Sequence, residues 1–127
     1  NLLSKRLLLE VYWGNNDAQF DAYWFDTSRV KTAVLNDTLG YYQGSRLNAS
    51  LSNLYLNGSL LGQSVGTNTK GVPDGNVYIF GVNQTTNNNF SDRESRFNTI
   101  GFGLTEAEMV DDYATVQQYQ IALGRQV

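Results

Sequence analysis

Short runs rich in apolar residues recur along the first hundred positions of this chain, and turn-forming residues interrupt them about every ten positions. Where apolar and polar residues alternate within a run, the period of two is typical of a strand with one buried and one solvated face. In the first third these runs predict strands at Leu7–Trp13, 19–25, 30–35 and 39–46. Gly40 and Gly44 interrupt the last of these and indicate a bulge or a close backbone approach. Such regular short strands are typical of a β-sandwich or barrel.

The stretch 51–81 carries the clearest local signal. Leu51–Leu56 reads as a strand, Asn57-Gly58 follows directly, and 59–62 carries the chain back. Asn-Gly between two such runs predicts a hairpin with a type I′ turn, which requires positive φ at both central residues. A polar loop, 63–76, then leads to an apolar strand at 77–81, so an antiparallel meander is predicted.

The pattern changes from strand to helix near residue 105. A strand is predicted at 93–102, with Phe97 and Ile100 as its largest apolar residues. Thr105 and Glu108 then form a capping box, which predicts a helix over about 105–123, and Gly124 is a natural stop. We expect the apolar stripe of this helix to face a sheet, with its tyrosines and valines inward. The stripe consists of Ala107, Val110, Tyr113, Ala114, Val116 and Leu123.

The N-terminal strand is apolar on both faces, with Glu10 as its only charged residue. Such strands belong inside a sheet or beneath another layer. We therefore predict that Leu7–Trp13 does not lie free at an edge.

Composition narrows the function classes. The 127 residues suit one domain. Cysteine and histidine are absent, which removes disulfides, thiolate metal sites and the commonest general base. The nine basic residues are dispersed and the net charge is −3, which gives no support to nucleic-acid binding. No run reaches the ~18 apolar residues of a membrane span, so no membrane insertion is predicted.

Several segments together resemble a known family. They are Gly40-Tyr-Tyr-Gln-Gly-Ser-Arg46, Leu54-Tyr-Leu-Asn-Gly-Ser-Leu-Leu61, Asn76-Val-Tyr-Ile-Phe-Gly81, Arg96-Phe-Asn-Thr-Ile-Gly-Phe-Gly-Leu104 with Thr105-Glu-Ala-Glu108, and the ending Tyr119 to Val127. From Gly40 onward the chain resembles the C-terminal portion of concanavalin A-like, or laminin G-like, jelly rolls of secreted bacterial and phage tail or fibre proteins.

The resemblance implies an antiparallel β-sandwich of the concanavalin A-like jelly-roll type, with one C-terminal α-helix packed on it. Residues 1–127 would form a single sandwich domain, at an extracellular or virion surface. Such jelly rolls usually have more strands before this point than 127 residues hold. The chain is therefore either a trimmed sandwich or the C-terminal piece of a longer chain.

The acidic residues do not favour catalysis. Jelly-roll glucanases, which this fold resembles, carry paired glutamates on one strand, about 5–5.5 Å apart in a retaining mechanism. Glu10 is alone on its strand, Glu94 lies at a loop-to-strand junction, and Glu106 and Glu108 belong to the helix cap. None makes the strand pair, so we expect no enzyme activity.

No cofactor is predicted, although calcium is possible. Two clusters offer the oxygen ligands that calcium prefers, namely Asn15-Asn16-Asp17 and Asn87-Asn88-Asn89 with Asp92. Neither has the spacing of a calcium loop, and solvated turns with side-chain-to-backbone hydrogen bonds explain both.

Tyrosines are the best candidates for a ligand-binding face. Where Trp13, Trp24, Leu54 and Ile79 point to one side of their strands, the residues of the other side are Tyr12, Tyr23, Tyr55 and Tyr78. A tyrosine face offers flat apolar area with a polar tip, which suits stacking against sugars. The competing interpretation places this face under the C-terminal helix or in a second core layer, because Phe25 and Phe80 share it.

The expected function is therefore a non-catalytic surface recognition module that binds glycans or other cell-envelope components. The expected partner is a glycan or cell-surface polysaccharide. The chain is also expected either to form a homo-oligomer or to belong to a longer parent chain. The alternative function is a purely structural domain that mediates subunit contacts in a virion or surface assembly.

Overall fold

A computed structural model of the chain describes residues 7–13, 17–22, 29–32, 35, 39–66, 81–82, 89–90, 95 and 97–125. Within them lie eight strands and one helix. The elements are β1 (Leu7–Trp13), β2 (Asp17–Ala22), β3 (Val30–Lys31), β4 (Tyr42–Asn48), β5 (Leu51–Leu56), β6 (Ser59–Ser64), β7 (Gly81–Val82), β8 (Asn89–Phe90) and α1 (Glu106–Ala122).

The strands form two three-stranded antiparallel sheets and one short two-stranded ladder. The first sheet has the order β1-β2-β3, the second β4-β5-β6, and β7 pairs with β8. The prediction of a mainly β chain with antiparallel sheets and one C-terminal helix is therefore confirmed.

The hairpin β5–β6 forms where the Asn-Gly signal places it. Asn57 has φ 52° and Gly58 has φ 73°, the positive values that a type I′ turn requires. The turn is tied to the residue preceding β4. Tyr41 N–H donates to Asn57 Oδ1 at 2.9 Å, and Asn57 N–H donates to the Tyr41 carbonyl at 3.0 Å.

Buried residues from both sheets form one core cluster. Its fully packed members are Ala18, Phe20, Val30 and Leu54. The Phe20 ring lies directly over Gly44, where a Cβ would overlap it, and a Cβ on Gly62 would come within 2.9 Å of the Val30 side chain. The predicted close approach at Gly44 is confirmed, since an aromatic ring of the first sheet occupies the space that a side chain would need.

Helix α1 is capped at both ends by the residues that mark it in the sequence. Glu108 N–H donates to Thr105 Oγ1 at 3.4 Å, and Thr105 N–H donates to Glu108 Oε2 at 2.7 Å. At the other end Gly124, with φ 69°, donates to the Ile121 carbonyl, and Arg125 N–H donates to the Gln120 carbonyl. This is the Schellman pattern, so the predicted helix boundaries are confirmed.

Several predicted strand boundaries differ from the structure. β3 has only two residues, and β4 begins at Tyr42, three residues later than predicted. The strand predicted at 19–25 starts at Asp17, and its residues after Ala22 lie outside the described part. Of the strand predicted at 77–81, only Gly81 is described, where it belongs to β7.

The strand predicted at 93–102 is wrong in its described part. Residues 97–101 have no regular structure. Phe97 and Ile100 are three positions apart, so they cannot share one face of a strand, whose side chains repeat every two residues. Phe97 is half-buried, whereas Ile100 is 62% and Phe102 97% exposed.

The position of strand β1 tests one of the two alternatives predicted for it. In the described part of the chain it lies at one end of its sheet, with β2 as its hydrogen-bonded neighbour, and Leu9 is 43% exposed. The strand therefore does not lie inside the described sheet, and its cover by another layer stays a prediction.

Candidate functional site

One face of β4 is joined to the helix by hydrogen bonds. Tyr41, Gln43 and Ser45 alternate along the chain and so project to the same side of the second sheet. Ser45 Oγ donates to the Leu104 carbonyl at 2.6 Å and accepts from Leu104 N–H at 2.9 Å. This pair of bonds holds the residue just before the helix cap against the strand.

The helix buries a mixture of apolar and polar residues. Its buried residues are Met109, Val116 and Gln120, and Asp112, Tyr113 and Gln117 beside them are half-buried. The predicted inward stripe is therefore wrong in part. Val116 is buried and Tyr113 half-buried, but Val110 is 48%, Tyr119 51% and Leu123 45% exposed. Because the sheet face presents the amide of Gln43, the helix turns the Asp112 carboxylate toward it beside the buried Met109 and Val116.

Asp112 is the centre of the contact between β4 and the helix. Its Oδ2 accepts from the Tyr41 hydroxyl at 3.0 Å and from Gln43 Nε2 at 2.9 Å. Gln43 Nε2 also donates to the Met109 carbonyl at 3.2 Å. Bonds to a charged acceptor are the stronger kind, and they fix the rotation of the helix about its axis.

Two amide oxygens in this layer remain without a partner among the described residues. They are Oε1 of Gln43 and Oε1 of Gln120, and both are fully buried. Buried polar atoms are normally paired with protein or water. The layer therefore has hydrogen-bonding capacity beyond the bonds that join its residues.

Three aromatic rings line the rim of this layer. The Phe97 ring centroid lies 6.2 Å from that of Tyr41 and 6.0 Å from that of Tyr119, with interplanar angles of 59° and 55°. These tilted arrangements are favourable for aromatic pairs. Tyr41 and Phe97 are half-buried and Tyr119 is 51% exposed, so the aromatic cluster of Tyr41, Phe97 and Tyr119 is open on one side.

The phenol of Tyr41 is held in its neutral form. Burial raises its pKa, the hydrogen bond with the Thr99 hydroxyl lowers it by a smaller effect, and the Asp112 carboxylate raises it further. The net direction is upward. Tyr41 therefore presents a neutral phenol, already bonded to a carboxylate, at one end of the cluster.

Of the four tyrosines predicted to form a ligand-binding face, the structure describes the side chain of one, Tyr55. Tyr55 is 1% exposed, and its hydroxyl accepts from Asn53 Nδ2 at 3.0 Å. It pairs with Gln43 across the sheet and so shares the face that the helix adjoins. This position fits the competing interpretation, a tyrosine under the helix, and the ring offers no open surface to a ligand.

The other three predicted site residues stay predictions. The backbone of Tyr12 belongs to β1, but its side chain is not among the described ones, and Tyr23 and Tyr78 lie outside the described residues.

The oxygen clusters considered for calcium fall largely outside the described part of the chain, which includes the backbones of Asp17 and Asn89 alone. Across the described ranges, no three acidic residues come together as a metal site would require. No helix within them has the length and apolar character needed to cross a membrane.

The aromatic cluster was not predicted from the sequence, although the spacing of some of its residues could have indicated it. Tyr41 and Gln43 are two apart on a strand, and Asp112 and Tyr119 are seven apart on a helix, which is two turns along one face. The sequence does not show that this face of the strand packs against this face of the helix. Their contact depends on which side of the sheet the helix covers.

Comparisons with protein families, with curated proteins and with solved structures find no match for this chain. The candidate function rests on the aromatic cluster and its polar neighbours.

Proposed function

We propose that this chain is a non-catalytic recognition module that binds a glycan of a cell envelope or cell surface at the aromatic cluster of Tyr41, Phe97 and Tyr119. The observation that carries the proposal is one open aromatic rim directly beside a carboxylate and an amide.

The chemistry of this rim suits a sugar. Aromatic rings offer flat apolar area to the C–H face of a pyranose, and Tyr119 has about half of its surface available. Asp112 and the Thr99 hydroxyl lie at the Tyr41 end and can exchange hydrogen bonds with sugar hydroxyls. Apolar walls with a few placed polar groups are the usual composition of small-ligand sites.

The proposal includes the finer fold. The packing of Phe20 on Gly44 and of Val30 on Gly62 supports two sheets that stack face to face. A sandwich of the concanavalin A-like jelly-roll type would provide that arrangement, with the helix on the outer face of the second sheet. The resemblance of residues 40–127 to such domains supports the same fold, and an extracellular or virion surface as its location.

A glycan array tests the function. We expect wild-type protein to bind one class of glycan and the Tyr119→Ala variant to lose most of that binding, because the exposed ring provides stacking area. Gln118→Ala is the matched control, since this neighbouring residue is also exposed but lies on another side of the helix. Binding that survives Tyr119→Ala but disappears on Tyr12→Ala or Tyr23→Ala would move the site to the tyrosine face predicted from the sequence.

A specific observation also favours the second candidate, a structural domain that mediates subunit contacts. Several large apolar residues are exposed, among them Phe102 at 97%, Val65 at 72% and Leu39 at 71%. Exposed apolar area of this kind marks interaction surfaces when it is contiguous. A silent array, together with a mass that increases with concentration, would support this candidate over glycan binding.

A further inference from the structure

One largely exposed side of helix α1 carries a stripe at the spacing of a helix-pairing seam. Its members are Ala107, Val110, Ala114, Gln117 and Ile121, separated by three, four, three and four residues. This heptad spacing keeps them on one side of the helix. Val110 is 48% and Ile121 55% exposed, and both alanines are exposed. The buried residues Met109, Val116 and Gln120 are centred about 120° around the helix from the stripe, and Gln117, at the edge nearest to them, is half-buried.

The charges of the helix are divided between its two ends. Glu106, Glu108, Asp111 and Asp112 all lie in its first seven residues. Residues 113–124 carry no charge, and Arg125 follows them. If two copies of this helix paired in parallel, their acidic halves would lie side by side and repel. In an antiparallel pair, each acidic half lies beside an uncharged half that ends in Arg125, and the helix dipoles oppose each other.

We propose that a second copy of this chain docks on the stripe, with the two helices antiparallel and centred on Ala114. This register brings Ala114 against its own counterpart at a two-fold axis, as an isologous contact requires. It also places the small Ala107 of each helix opposite the larger Ile121 of the other. Small residues at the crossing allow the two helix backbones to approach closely.

The size of the stripe predicts a weak dimer. A 17-residue helix is roughly 25 Å long and about 10 Å wide, so the stripe offers far less than the ~800 Å² per partner of a standard stable interface. We therefore expect association that increases with concentration. This inference does not rest on glycan binding, because the stripe and the aromatic cluster occupy different sides of the helix.

Cysteine cross-linking tests both the contact and its register, because the native chain has no cysteine. A disulfide needs Cα atoms within about 7 Å. Under mild oxidation the Ala114→Cys variant is expected to form a covalent dimer. The Ala107→Cys variant alone is not expected to cross-link, because the two copies of residue 107 would lie about 21 Å apart along the antiparallel helices. A mixture of the Ala107→Cys and Ile121→Cys variants is expected to cross-link.

Analytical ultracentrifugation gives an independent measurement. The wild-type mass should increase from 14.2 kDa toward twice that value as concentration increases. Ala114→Glu should abolish the increase, because it places two like charges at the axis. The exposed Thr115→Glu, with the same added charge away from the stripe, should leave it unchanged. A wild-type mass that stays monomeric at every concentration would overturn the proposal, as would cross-linking of Ala107→Cys alone to the same extent as Ala114→Cys.

Discussion

The hydroxyl of Tyr41 donates a 3.0 Å hydrogen bond to Oδ2 of Asp112, a residue 71 positions further along the chain. The bond joins the residue that precedes β4 to the second turn of the C-terminal helix. Gln43 donates to the same oxygen at 2.9 Å. Two donors of the sheet thus depend on one carboxylate of the helix, so this residue should matter more to stability than its half-buried position indicates.

Replacement of Asp112 by alanine should lower the free energy of unfolding by about 1–3 kcal/mol, because two partly buried donors lose their acceptor. Asp111→Ala is the matched control. It changes the same residue type on the same helix, but Asp111 is exposed, and a change within about 0.5 kcal/mol is expected. Urea denaturation measures both. Equal effects of the two substitutions would show that the Tyr41–Asp112 bond adds nothing beyond a surface charge.

The raised pKa of Tyr41 predicts a loss of stability in alkali. The folded protein holds the phenolic proton to higher pH than the unfolded chain, whose tyrosines titrate near 10. The stabilisation is therefore complete below pH 10 and is lost as the pH rises through the raised pKa. Denaturation midpoints measured between pH 9 and 12 should decline more steeply for wild type than for Tyr41→Phe. Parallel curves would contradict the raised pKa.

Removal of the helix cap should be measurable at neutral pH. Thr105→Ala deletes the hydroxyl that accepts from Glu108 N–H, and caps of this kind contribute about 0.5–2 kcal/mol. Thermal unfolding followed at 222 nm should show a lower Tm. Thr115→Ala is the comparison, since this exposed threonine bonds the Asp111 carbonyl within the helix and caps nothing. If both variants melt alike, the capping box is not stabilising.

The same capping box predicts an acid-dependent loss of helix stability. Hydrogen bonds from the Thr105 backbone N–H and hydroxyl lower the pKa of Glu108. The stabilisation is present above the ordinary pKa of a glutamate and is lost as the pH falls through the lowered value. Glu108→Gln keeps an acceptor that does not titrate, so its Tm should depend less on pH between 2 and 5. An unchanged pH dependence in that variant would exclude Glu108 as its source.

The contact between Phe20 and Gly44 gives a test of how the two sheets pack. Gly44→Ala should destabilise by about 1–3 kcal/mol through overpacking, because the added Cβ would overlap the Phe20 ring. Gly101→Ala is the control, since its Cβ would meet no atom within 4 Å. In a double-mutant cycle, Phe20→Leu in the Gly44→Ala background should restore part of the lost free energy of unfolding. Strictly additive effects would mean that the two residues are not in contact.

Local signals in the sequence predicted the hairpin and the helix well. Asn57-Gly58 fixes a turn through its own backbone requirements, and Thr105, Glu108 and Gly124 mark a helix through bonds within a few residues. These elements depend little on the rest of the fold, so their boundaries in the structure agree closely with the prediction.

Features that depend on contacts distant in sequence were predicted less well. Tyr55 is buried on the sheet face beside a helix that begins some fifty residues later, and no local pattern around Tyr55 indicates which face the helix adjoins. The inward side of that helix was predicted only in part, because the prediction considered apolar residues alone. In the structure Gln43 of the sheet donates to Asp112 of the helix, and Met109, Val116 and Gln120 are the buried helix residues.

The layer between helix and sheet mixes polar and apolar groups, and this affects how the chain unfolds in parts. Heat capacity and denaturant sensitivity both scale with the surface that unfolding exposes. Detachment of α1 would wet Met109 and Val116 together with the Gln43 amide and the Asp112 carboxylate, whereas separation of the two sheets would wet the wholly apolar cluster around Phe20. We expect the helix to open as a separate cooperative unit at a lower free energy than the β core, with a smaller heat-capacity change. Amide exchange in α1 would then depend less on added urea than exchange in the core strands.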